Sequence, residues 1–431
     1  MRSGELTVED YAKSLLTRIK DRDPVVKAWA YLDPEHVLAA AQELDKIPPQ
    51  KRGPLHGVAI GVKDMMLTKD LPTQYNSPIY ETKKPSGVDA APVITLRAAG
   101  ALIFGKTTTT EFAANSEGNH FQNKTSNPHD PNRTPGGSSS GSGAAVGDFQ
   151  VPIALGTQTG GSTIRPGSFN GIYALKPTWG AISREGLAQY SMTCDTLGLY
   201  ARSVEDLELL AKVFDLETDD PVSEQPFQIK GAKIGLCKTS VWPKAGPGTI
   251  AAWEKAKELL TKHGAEVEDL ELPEDFSKIP AWHLNVLAGE GKSSFLGQHR
   301  LAPSLLHSHM TNHVLNHNNL SRKLLLESYD NCARLRPIWD SIASSYDIIV
   351  TPSVVDEAPL GLDKTGDYSF NPIWTILHVP ALNMVGFAGE NGLPIGLTLV
   401  TGRYRDLHAL WVAKGVGEVF EGEGGWKRGN V

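Results

Sequence analysis

Cysteine is scarce in this chain. Cys194, Cys237 and Cys332 are the only three in 431 residues, and they stand far apart. That excludes a disulfide-stapled scaffold and a paired-cysteine zinc site, and makes a reducing, cytoplasmic compartment the expectation. No apolar run approaches the ~20 residues that a membrane-spanning helix needs. The opening stretch MRSGELTVEDYAKSLL is charged and lacks the apolar core expected of a secretory leader. Positive charge is not in excess either: the net charge is −7, so neither nucleic acid nor an anionic membrane surface is an expected partner. Internal repeats and low-complexity tracts are missing. The remainder, 40% hydrophobic and 21% charged, suits a globular enzyme.

Hydrophobic periodicity divides the chain into alternating elements. Thr7–Lys20 and Pro34–Leu44 read as helices capped by Thr7 and Asp33. Val58–Val62 reads as a buried strand with Lys63 at its end. A helix over Asp89–Ala99, a strand over Ala101–Phe104 and a further helix starting at Thr107 follow. Later come helices at Ser203–Phe214 and Thr249–His263, strands at Lys233–Cys237, Val267–Leu272 and Asp347–Val350, and a mostly helical stretch from Phe276 to Ser344. Strands Asn383–Phe387 and Ile395–Val400 flank a Gly-Glu-Asn-Gly turn and read as a hairpin; Asp406–Phe420 closes the chain as a helix. Strands alternating with helices predict one large α/β/α domain. Its central twisted sheet is expected to be mixed, mostly parallel, and flanked by helices.

The densest chemistry lies between Pro135 and Gly171. Gly136-Gly137-Ser138-Ser139-Ser140-Gly141-Ser142 is one Gly/Ser cluster and Gly160-Gly161-Ser162 another, with the apolar run Val151–Leu155 between them. A flexible linker would not carry a buried strand between two glycine pairs. Gly137-Ser138-Ser139-Ser140-Gly141 also fits the G-x-S-x-G elbow of α/β-hydrolases with Ser139 as nucleophile, but the preceding stretch is loop rather than strand. No G-K-[ST] follows either cluster, which weighs against a phosphate cradle. His309, His313 and His317 are spaced along one helix face; without H-E-x-x-H or a carboxylate partner they read as a polar face near a pocket, not as metal ligands.

These motifs resemble the amidase signature family. The first cluster matches its GGSSxGS element. Gly156-Thr157-Gln158-Thr159-Gly160-Gly161-Ser162-Thr163-Ile164-Arg165-Pro166 matches its second element, with Ser162 standing 24 positions after Ser138. Gly61-Val62-Lys63-Asp64 matches the family's lysine motif, and Lys176-Pro177-Thr178, Asp195-Thr196-Leu197-Gly198 and Gly392-Leu393-Pro394 agree as well. Two positions depart: Gln158 stands where the family has an acid, and Arg165 comes one residue late.

The resemblance implies a Ser–Ser–Lys triad with Ser162 as nucleophile, Ser138 as bridging serine after a cis peptide, and Lys63 as base. It implies an oxyanion hole from the amides of Thr159, Gly160, Gly161 and Ser162, with Ser138, Thr159, Gly160 and Gly161 in contact with substrate. No metal and no cofactor is implied. Residues 1–431 would be one amidase domain: a helical layer over 1–50, the catalytic core over 55–215, and a helical pocket segment over 276–344. Substrate-lining segments are expected at Thr73–Pro85, Asn115–Gln122, Tyr190–Met192 and Phe276–Trp374; Trp282, Trp339, Phe370 and Trp374 could line an acyl pocket or fill core. The expected function is hydrolysis of a small-molecule amide by a free-standing enzyme, with a homodimer left open. Two alternatives remain: the amidase subunit of a tRNA-dependent amidotransferase, and an inactive amidase fold used for binding.

Overall fold

An eleven-stranded sheet runs through the computed structural model, which describes residues 1, 5–82, 84–114 and 124–429. Its strands are β1 (Trp29–Tyr31), β2 (Ala59–Lys63), β3 (Leu102–Thr107), β4 (Ile153–Gln158), β5 (Tyr173–Lys176), β6 (Thr196–Ala201), β7 (Lys233–Leu236), β8 (Glu266–Asp269), β9 (Ile348–Pro352), β10 (Ala381–Ala388) and β11 (Pro394–Val400). Their spatial order is β1-β3-β2-β4-β6-β5-β10-β11-β9-β7-β8. The mixed sheet flanked by helices is as expected, but it is not mostly parallel. β3-β2-β4 at one end and β9-β7-β8 at the other are parallel. The centre, from β4 through β6, β5, β10 and β11 to β9, is antiparallel throughout. Alternation of helix and strand predicts parallel crossovers; in the centre, neighbouring strands pair antiparallel instead.

β1, β5 and β6 have no counterpart among the strands expected from the sequence. The helix expected from Thr107 does not form. Thr107 belongs to β3, and only a 3-10 turn follows at Glu111–Ala113, where Phe112 and Ala113 have positive φ (47° and 56°). A run of four β-branched threonines favours extension over helix.

Helix Val8–Val26 is capped by Thr7, which accepts from the Asp10 amide, and Pro34–Asp45 by Asp33, as their sequences predict. The two pack on each other and bury Val8, Ala12, Val37 and Ala41. Behind the active face, helix Ser140–Gly147 is buried along its whole length. It approaches its neighbours so closely that a Cβ on Gly141 would sit 2.1 Å from the Ala28 carbonyl oxygen. This small-residue helix pins the first Gly/Ser cluster against the ends of β2 and β4. The three cysteines are free and buried, as befits apolar filler rather than chemistry. Burial pushes the Cys237 and Cys332 thiols up to about 12. No helix among the described residues is long and apolar enough to cross a membrane.

Candidate active site

β2 and β4 are parallel neighbours, so their carboxyl ends lie side by side. That edge is where open α/β sheets gather their chemistry. Lys63 ends β2, Thr157 and Gln158 end β4, and Ser138 and Ser139 lead into helix Ser140–Gly147. Lys63 is fully buried, and its Nζ lies 2.8 Å from Ser138 Oγ, 3.0 Å from Ser139 Oγ and 2.7 Å from Thr157 Oγ1. Burial holds the amine well below the ordinary lysine range; Asp195 is the one carboxylate pulling it back up. Asp64 faces the other way, accepting from Lys106 at 2.9 Å.

Ser139 is saturated. It accepts from Lys63 and from the Thr157 amide (3.1 Å), and its hydroxyl donates to the Thr157 carbonyl (3.1 Å). A hydroxyl with both roles committed, and no exposure, is not a nucleophile. The peptide Gly137–Ser138 is cis.

Ser162 is reached along the turn that leaves β4. All four carbonyls of this turn are held. Thr159 O accepts from His283 Nε2 at 2.9 Å, and Gly160 O from Thr375 Oγ1 at 2.8 Å. Gly161 O accepts from the Arg165 amide (3.0 Å) and Ser162 O from the Tyr200 hydroxyl (3.1 Å). In a trans peptide the next N–H points opposite its carbonyl. The amides of Gly160, Gly161 and Ser162 accordingly find no acceptor among the described residues. These three residues line a cavity of about 220 Å³ shared with Tyr190, Leu284, Leu287, His309, His313 and Tyr368. The glycines are required by close packing: a Cβ on Gly161 would meet Tyr368 Cβ at 2.7 Å. Among the hydrogen bonds of the described residues, none joins Ser138 Oγ to Ser162 Oγ.

Gln158 substitutes for an acid without loss of caps. Its Oε1 accepts from the amides of Thr163 (2.9 Å) and Ile164 (3.0 Å), at the start of helix Ile164–Phe169. Its Nε2 donates to Thr375 Oγ1 at 3.0 Å, and Thr375 in turn holds Gly160. Asp195 Oδ1 accepts from Thr159 Oγ1 at 2.6 Å, and Oδ2 from the amides of Tyr190 and Ser191.

His309 and His313 do face the cavity, whereas His317 turns away to Asn312. His313 Nε2 sits 2.9 Å from the Tyr190 hydroxyl and 3.2 Å from His309 Nε2. No group of three or more His, Cys, Asp or Glu is placed to hold a metal among the described residues. Trp339, Phe370 and Trp374 are core, with Trp339 and Trp374 ring centroids 4.8 Å apart; Trp282 packs at its edge. The segment Asn115–Gln122 lies outside the described residues. Thr157, His283, Thr375 and Asp195 support the site without being marked for it in the sequence. Thr157 and Asp195 lie inside recognised motifs, but His283 and Thr375 are linked to the site only through space.

A family model described as Amidase matches residues 10–410. One subunit of the glutamyl-tRNA(Gln) amidotransferase from Symbiobacterium thermophilum is 32% identical, over 95% of this chain and 93% of its own. The corresponding subunit from Lysinibacillus sphaericus is 30% identical, over 94% and 91%. A solved amidase superposes with a TM-score of 0.85 at 27% identity, covering 96% of each chain. With a family model matched over residues 10–410 and relatives at 30% identity or more along nearly its whole length, this chain belongs to the amidase family.

Proposed function

We propose that the chain hydrolyses small carboxylic amides through an ester on Ser162, with Ser138 and Lys63 relaying the proton. The observation that carries this reading is a fully buried amine whose hydrogen-bond partners are three hydroxyls. A neutral lysine has two N–H groups and one lone pair. Ser139 has given its own proton to Thr157 O, so it takes one N–H. Thr157 Oγ1 takes the second. The lone pair then faces the Ser138 hydroxyl.

In the first step Ser138 passes its proton to Lys63 and accepts that of Ser162 as Ser162 Oγ bonds to the amide carbon. The carbonyl π electrons move onto oxygen, where the amides of Thr159, Gly160, Gly161 and Ser162 receive the charge. Collapse breaks the C–N bond, and the departing nitrogen takes the proton back through Ser138. Water, deprotonated by the same relay, then opens the ester. The Ser138–Ser162 contact is left to form with substrate in place, as catalytic contacts often do. A serine-directed fluorophosphonate should label Ser162, and ammonia or amine should be released from simple amides. A label on Ser139, or none, overturns the reading.

The relatives named above favour a second reading over the free-standing enzyme: the same chemistry in the amidase subunit of a tRNA-dependent amidotransferase. Their names run against the expectation of a chain that works alone and without nucleic acid. Co-purification with partner subunits that raise ammonia release supports this reading. Full turnover by the isolated chain, unaffected by any partner, returns the free-standing one.

A further inference from the structure

The turn that leaves β4 carries two consecutive glycines, Gly160 and Gly161. Without side chains, the peptide plane between them has little of its own to stop it rotating. Among the described residues, the only hydrogen-bond donor to Gly160 O is Thr375 Oγ1, at 2.8 Å. A hydroxyl has one proton and two lone pairs, so the neighbour that receives the proton decides whether this plane is held. Thr375 is fully buried, and its Oγ1 has three polar neighbours. Gly160 O and Asn371 O (3.3 Å) can only accept; the third is Gln158 Nε2 at 3.0 Å. Asn371 O already accepts from the amides of Trp374 and Thr375, both at 3.1 Å.

Gln158 decides where the proton goes. Its Oε1 accepts from the amides of Thr163 and Ile164, so its NH2 has to face Thr375. That NH2 fills a lone pair of Oγ1 and leaves the hydroxyl proton for Gly160 O. An acid at 158 would make the same two caps, but it would offer Thr375 an acceptor where Gln158 offers a donor. The hydroxyl would then turn to the carboxylate, because a charge-assisted bond is stronger than one to a carbonyl. Gly160 O would lose its donor.

We propose that Gln158 and Thr375 are positioning residues for the oxyanion turn: the Gln158 amide commits the Thr375 hydroxyl to Gly160 O, and this aims the Gly161 N–H at the oxygen of the reacting carbonyl. This rests on Ser162 being the nucleophile and its turn the oxyanion hole. The trans peptide puts that N–H opposite Gly160 O, and Gly161 lines the cavity. Glutamine at 158 is therefore more than a stand-in for a capping acid. It couples the turn to a residue 217 positions away.

The test measures kcat and KM on one small amide, and inhibition by the aldehyde of the same acyl group, whose adduct with Ser162 places an oxygen in the hole. Rates are expressed per Ser162 that takes the fluorophosphonate, so misfolded chain does not count. Gln158→Glu should lower kcat by about 100-fold at roughly constant KM, and weaken the aldehyde by a similar factor. Thr375→Val should do the same, and Thr375→Ser, which keeps the hydroxyl, should recover most of the loss. In the Thr375→Val background, Gln158→Glu should change kcat by no more than about twofold, since no hydroxyl proton is left to redirect. A glutamate acting through its charge alone would keep its full effect there. That full effect in both backgrounds, or wild-type kcat in Gln158→Glu, overturns the clamp and leaves the amidase reading standing. No labelling of Ser162 and no turnover of any amide by the wild type overturn both.

Discussion

Lys63 and Lys106 sit on adjacent parallel strands, β2 and β3, and neither has any exposed surface. Their surroundings differ. Lys106 donates to Asp64 (2.9 Å), to the Met66 carbonyl (2.9 Å) and to Thr73 Oγ1 (2.7 Å). Lys63 has three hydroxyls and, among the described residues, no carboxylate in contact. Burial lowers both amines, but at Lys106 Asp64 opposes it by both charge and hydrogen bond. Depth alone does not make a base. Lys106 is a charged tie that fastens the Met66–Thr73 loop to the sheet, whereas Lys63 is an amine free to be neutral. Reading Asp64 as a neighbour of Lys63 in sequence misleads: successive residues at a strand end point to opposite sides.

Substituting the two lysines separates these roles. Lys63→Ala should lower kcat/KM on a small amide by about 10⁴-fold, with a thermal midpoint close to that of the wild type. Lys63→Arg should not rescue, since guanidinium keeps its proton. Ser138→Ala combined with Lys63→Ala should cost little more than the worse single change, because a relay fails as a unit. Steady-state kinetics on the purified variants reads this, and near-normal turnover in Lys63→Ala would erase the distinction. Lys106→Met should instead cost stability, about 3–5 kcal/mol, because it strands Asp64 without its ion. Adding Asp64→Leu should restore much of that loss, measured by urea unfolding. A smaller effect sharpens the Lys63 side alone. Thr157→Val removes one acceptor from Nζ and frees the lone pair to turn from Ser138. A 10- to 100-fold drop in kcat, at roughly constant KM, is about what a lost positioning bond gives.

Lys106 also falls in a family motif, Gly105-Lys106-Thr107, but why the sequence reveals the role of one lysine and not of the other follows from how each is connected. Ser138, Ser162 and the glycines are legible because they are contiguous within two short motifs, and Lys63 because the same family pattern includes it. The residues that aim them are not. His283 holds Thr159 O from 124 positions away, and Thr375 holds Gly160 O from 215. Neither sits in a local pattern that marks it. The same limit applies to the sheet. Helix caps at Thr7, Asp33 and Ser203 are local and legible. The antiparallel centre depends on which distant strands meet, and that leaves no periodic trace in β5 or β6. Arg165 is visible in the sequence only as a displaced residue. Its buried, half-paired state emerges from Gly137 and Gly366, which the fold brings to it.

The smallest expected effect is a pH slope, and it tests the lysine comparison without an assay of activity. Burial holds folded Lys63 well below the ordinary range, whereas in the unfolded chain it titrates near 10.4. Between those two values the unfolded chain binds the extra proton. Unfolding free energy therefore rises with pH across that window, by up to about 1.4 kcal/mol per pH unit, and falls as pH drops back through it. Lys106 is also lowered, but its carboxylate partner limits the displacement and narrows its window. Other buried groups titrate in the same range, among them Lys176, which burial brings down to about 7. The quantity to read is thus the difference between proteins. Urea unfolding of the wild type and of Lys63→Met, run from about pH 8 to 10, should show the variant's stability rising less steeply. The same subtraction with the Lys106→Met, Asp64→Leu double variant should remove less of the slope. Equal slopes in the wild type and Lys63→Met would mean that Lys63 keeps its charge when folded, and the two lysines would then be two ties rather than a tie and a base.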